Sequence, residues 1–187
     1  MIFWVALAAG LGLGWARGGT LMRLADVRVR LWGLPLCAGA LHVGLRLWRG
    51  PALGRELEII ASIAVYAGAA AFLVANLRLP ATWPTLAGLS TNMAATLRAG
   101  GRMPVWTAAL GRIPPRVRAL LLHGRLASHV PMAHPSGLGW LGDVLAVPAP
   151  LPADVMSAGD LCIALGILLF VAQAMAPERR ASGAAPS

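Results

Sequence analysis

The sequence predicts an all-α integral membrane bundle of about five transmembrane helices, with an amphipathic interfacial segment before the last. Three observations predict it. Ile59 to Leu77 is a run of 19 residues without a charge, which at about 1.5 Å of helical rise per residue nearly spans a bilayer core. Hydrophobic residues make up 58% of the 187-residue chain and charged residues only 12%, with a mean hydropathy of +0.70. That leaves too little polar surface to coat a soluble globule. Other uncharged runs recur before and after the central one, at residues 1–16, 31–45, 79–97 and 161–177, that at 79–97 being equally long.

The first span is expected near residues 1–16. It has no basic residue ahead of it, unlike a secretory leader, and is read as retained. The second, near 31–47, is short and would rely on snorkelling arginines or on neighbouring helices. The third is expected near 58–77. The fourth begins near 83 and runs to 98, because Pro80 and Pro84 suit a helix start, where a missing amide costs little. The fifth is expected near 160–176, opened by Ser157 as N-cap with Asp160 in the first turn, where the helix dipole favours an anion. Trp15, Trp32, Trp48 and Trp83 fall near run ends, the depth an indole prefers. Together these make one domain over 1–177, followed by a short disordered tail, 178–187. Glycines and alanines along the spans, such as Gly10, Gly12 and Gly14, would let backbones approach closely.

All 16 basic residues are arginine, and the formal charge is +9. They are scattered among apolar runs with no aromatic platform, which argues against nucleic acid. The expected partners are the lipid bilayer and its anionic headgroups. Arg17, Arg23, Arg28 and Arg30 in the first connection predict an outside N-terminus, although the arginines of the long connection oppose that orientation. Cys37 and Cys162 both lie in apolar stretches, so no disulfide framework is expected.

The connection 99–159 is too apolar to be simply disordered and too long to be idle. Residues 116–126 place Val117, Leu120, Leu121 and Gly124 on one helical face with arginines around it, the pattern of an interfacial helix. His129, His134 and Asp143 follow, types that bind metals or move protons, in a spacing that matches no metal motif. Asp143 sits in Leu-Gly-Trp-Leu-Gly-Asp-Val-Leu, where a carboxylate needs a partner, and is the first candidate for a functional acid. Within the spans, Asn76, Asn92 and His42 would require hydrogen bonds. Beyond Asn92, Gly100 and Gly101 ahead of Arg102 are able to expose amides to an anion or to stop a helix. The candidate functional residues are therefore Asp143, His129, Asn92, Gly100, Gly101, Arg102 and Asp160.

Several of these lie in segments that look familiar: Arg17-Gly18-Gly19 with Leu24-Ala25-Asp26, Asn92 with Gly100-Gly101-Arg102-Met103-Pro104-Val105, His129 ahead of Leu141-Gly142-Asp143-Val144, Pro148-Ala149-Pro150, and Ser157-Ala158-Gly159-Asp160. In this order and over nearly the whole chain they resemble a family of small bacterial multi-pass membrane proteins known only as a domain of unknown function. Ala99 departs from that pattern, where asparagine is frequent, as does Trp106, where a small hydroxyl residue is common. The resemblance implies a cell-membrane location and a helical fold, with no substrate, cofactor or catalytic residue. The expected role is a non-catalytic accessory or scaffold protein that binds lipid, another membrane protein or itself. The alternatives are a small-solute transporter or channel, and a membrane-surface enzyme using Asp143 with His129 or His134. No metal and no cofactor is assigned.

Overall fold

The computed structural model describes residues 1–47, 55–126 and 128–177. Helices α1 (Ile2–Ala16), α2 (Leu21–Ala25), α3 (Gly33–Leu47), α4 (Arg55–Ala75) and α5 (Thr82–Arg98) come first. Strand β1 (Met103–Trp106), helix α6 (Pro115–Leu122) and strands β2 (His129–Met132), β3 (Leu145–Ala146) and β4 (Val155–Met156) follow, and α7 (Ala158–Ala174) closes the chain. The long helices pack in series: α1 on α7, α7 on α5, α5 on α4, and α4 on α3. Glycines set the closest approaches. A Cβ on Gly10 would lie 2.8 Å from the Leu168 carbonyl oxygen, whereas Gly12, on the other side of α1, has nothing within 4 Å.

The long helices occupy the five apolar runs, yet the expected transmembrane bundle is overturned. Among the described residues no helix is long and apolar enough to cross a membrane. The reason is local and lies in where each helix begins and ends. Helices α1 and α3 have 15 residues, and α5 and α7 have 17, which at about 1.5 Å per residue reach less than a hydrocarbon core of about 30 Å. Ala81, at φ 58° and ψ 17°, delays α5 until Thr82. The 21-residue α4 opens on Arg55-Glu56-Leu57-Glu58, so its apolar length begins only at Ile59. Trp15, Trp32 and Trp83 are all more than half exposed. Trp48, the side chain of His42 and the tail 178–187 lie outside the described residues.

An all-α fold is also corrected, because the connection between α5 and α7 contains strands. β1 pairs in parallel with β2, Met103 opposite His129 and Trp106 opposite Met132, while Val105 bridges Asp143 on the other side. β3 and β4 form an antiparallel pair. Two 3-10 turns, Thr107–Arg112 and Gly137–Leu141, link these pieces. The segment expected to lie on a membrane surface is α6. Its Leu121 is 3% exposed and packs with Val105 and Leu110 against Ile113, Leu126 and Val155 in a small core of the cap, while Val117 stays 44% exposed. This cap rests on α5 through β1 and the 137–141 turn.

Candidate functional site

The two edges of β1 explain how the site is assembled. Successive side chains of a strand point to opposite faces, and laterally paired residues share a face. Met103 and Val105 thus share one face of β1, and their lateral partners His129 and Asp143 arrive there from either side. Asp143 is anchored by its own backbone: its amide donates to the Pro104 carbonyl at 2.9 Å, and its carbonyl accepts from the Trp106 amide at 2.9 Å. Gly142 permits this approach, since a Cβ there would lie 2.4 Å from the Pro104 carbonyl oxygen.

The carboxyl of Asp143 is buried, with the residue 6% exposed, and its Oδ2 lies 3.6 Å from His129 Nε2. The other imidazole nitrogen, Nδ1, is 2.7 Å from Ser128 Oγ. Burial is the main cause, and the Asp160 and Asp154 charges add to it, so that the Asp143 carboxyl is pushed up to about 8.

A second carboxylate is built differently. Asp160 and Ser157 form a capping box at the start of α7: the Asp160 amide donates to Ser157 Oγ at 2.9 Å, and the Ser157 amide donates to Asp160 Oδ2 at 3.1 Å. Asn92 locks this box to α5, its Nδ2 donating to Asp160 Oδ1 at 2.8 Å and its Oδ1 accepting from Ser157 Oγ at 2.7 Å. Gly159 makes the junction sterically possible, because a Cβ there would stand 2.0 Å from Asn92 Oδ1.

Asp143, His129, Asn92, Asp160 and Gly101 line one cavity of about 400 Å³. Tyr66, Thr96, Ser128 and Met103 complete much of its wall, with Ala38 and Gly39 of α3. The Tyr66 hydroxyl is 3.3 Å from Thr96 Oγ1. Sequence reasoning missed these last residues; the one available signal was Tyr66, the only tyrosine of the chain, set within the uncharged run 59–77.

The glycine pair and the remaining candidates have other roles. Gly100 and Gly101 have φ of 72° and 89°, and their amides donate to the carbonyls of Leu97 and Thr96. That is a Schellman stop of α5, so both amides serve the helix end instead of a ligand. Arg102 follows the stop and does not line the cavity, and His134 is exposed away from it. Asn76 donates to the carbonyls of Arg30 and Phe72 and accepts from the Arg30 amide, tying the α2–α3 connection to the end of α4. Among the described residues no group of three His, Cys, Asp or Glu side chains could hold a metal ion.

A family model described as a family of unknown function, DUF5317, matches residues 36–172, which includes every residue of the cavity. The chain belongs to DUF5317. No curated protein and no solved structure matches it. Membership in DUF5317 brings no activity with it, and the chemistry has to be argued from the cavity.

Proposed function

We propose that this DUF5317 protein binds a small molecule in the cavity and exchanges a proton with it through Asp143 and His129. The observation that carries the reading is the meeting of a buried carboxyl and an imidazole 3.6 Å apart on the wall of a 400 Å³ cavity, with burial pushing the carboxyl up to about 8. A buried acid raised into the neutral range beside a second titratable group is the arrangement that general acid–base sites use. Asn92 and Asp160 supply the polar wall opposite and hold it rigid through the capping box.

Dicyclohexylcarbodiimide tests the reading, since it is apolar and modifies carboxyls only in their protonated form. Peptide mapping is expected to find Asp143 modified at pH 6–7, with labelling lost as pH rises past about 8. An Asp143 that stays unmodified at pH 6 contradicts the proposal.

A separate observation favours a second, compatible role. Trp4, Leu36, Ile60 and Trp83 are each more than 60% exposed, giving the helical body an apolar exterior. Large apolar side chains exposed on several helices are the kind of surface that lipid or a partner can cover. Together with the formal charge of +9, it supports association with an anionic lipid surface as an accessory protein, with no helix required to cross. Flotation with phosphatidylglycerol vesicles, and much less with phosphatidylcholine vesicles, is the expected result; failure to float with either removes this role.

A further inference from the structure

Asp143 and His129 belong to the walls of two cavities. The second, of about 160 Å³, lies in the cap core among Val105, Leu110, Ile113, Val117, Leu121 and Leu126. Strand periodicity accounts for the division: along one face of β1, Met103 lines the larger cavity and Val105 the smaller. The two spaces differ in chemistry. The larger carries Asp143, Asp160 and hydroxyl groups, and among the described residues its lining includes no arginine. The smaller is mostly apolar and of the size, about 150 Å³, that stays dry and accepts a six-carbon ring in an engineered protein cavity.

We propose that the site takes an amphipathic amine, its ammonium group held among Asp143, Asp160 and the hydroxyls of the larger cavity and its alkyl chain, of about six carbons, seated in the smaller one. This assignment rests on the reading of the cavity as a proton-exchanging site and names its ligand class. An ammonium favours the ionised carboxyl, so binding near neutral pH expels the proton of Asp143. Among the described residues, the ionisable groups around that carboxyl are His129 from β2, Asp160 from α7 and Asp154 from the segment before β4; Tyr66 of α4 lines the larger cavity, and Arg118 of α6 and Asp154 line the smaller one.

Calorimetric titration of the full chain with n-alkylamines from propyl to octyl, beside the matching alkanoates, tests the inference. Affinity for the amines is expected to rise about fourfold per methylene, the value of one buried CH₂, and to level off near hexylamine. Proton release is expected to appear as a dependence of the heat on buffer. Val117→Phe and Leu126→Phe, two independent ways of filling the smaller cavity, are expected to flatten the chain-length dependence from propylamine to octylamine. Amine binding indifferent to chain length, or alkanoates binding as tightly as amines, overturns the inference. If no amine binds while Asp143 still reacts with carbodiimide, the ligand class alone is wrong; if Asp143 is also unreactive, the underlying reading falls with it.

Discussion

The dipeptide Gly-Asp occurs twice, as Gly142-Asp143 and Gly159-Asp160, and the two copies sit in opposite physical situations. At the α5–α7 junction both oxygens of Asp160 receive N–H donors, from Asn92 and from the Ser157 backbone. In the cap, the Asp143 carboxyl faces an imidazole at 3.6 Å and is otherwise enclosed by burial and by the fields of two other acids. In both copies the glycine admits a close approach, of Asn92 in one and of the Pro104 carbonyl in the other. The lesson is that one carboxylate is spent on holding helices together, while the other is kept protonated and available beside a cavity.

The largest effect should come from the structural copy. Gly159→Leu pushes a side chain into Asn92, which is pinned by two hydrogen bonds and has no room to swing away. Overpacking of this kind costs about 1–3 kcal/mol or more, and loss of the Asn92 network adds to it. The variant is expected to lose cooperative thermal unfolding.

The chemical copy should announce itself through pH. Because the folded protein holds the Asp143 proton up to about 8 whereas the unfolded chain releases it near 3.8, the native state binds the extra proton between those values. Stability is therefore highest in acid and declines as pH rises through that window, by an amount on the order of a few kcal/mol. Asp143→Asn is expected to remove the decline, matching the wild type at low pH and exceeding it above pH 8, as read from denaturant titrations at several pH values. An unchanged slope would place the decline on other groups.

How much of this contrast was legible in the sequence depends on how local the cause is. The helices were legible because apolar runs are local, and Ser157 with Asp160 announced an N-cap three residues apart. Run length misled about crossing a membrane, since Ala81 and the charged first turn of α4 shorten the apolar helices. The strands were hidden: β1 and β2 each contain a proline, Pro104 and Pro131, and are only four residues long. The Asp143–His129 encounter depends on two lateral pairings across β1, and the Asn92–Asp160 bond spans 68 positions. Neither leaves a spacing that a sequence reading could recognise.

Asn92→Leu sharpens the comparison at smaller cost. It strips Asp160 Oδ1 of its side-chain donor and Ser157 Oγ of its acceptor, an expected loss of about 1–3 kcal/mol in unfolding free energy. Carbodiimide labelling of Asp143 should persist in this variant, separating the two carboxylates. The smallest effect belongs to Gly12→Ala, on the open side of α1 where a Cβ meets nothing within 4 Å. Replacing a mid-helix glycine there is expected to stabilise by up to about 1 kcal/mol, visible as a small rise in Tm.

The most direct test of the contrast is a pH titration of the aspartate carboxyl carbons by NMR in protein labelled with ¹³C at Asp Cγ, wild type beside Asp143→Asn. One resonance is expected to titrate with a midpoint near 8 and to be missing from the variant. If every aspartate in the wild type finishes titrating well below neutral pH, Asp143 is not protonated in the working range, and the claim that it stands ready to exchange a proton is contradicted.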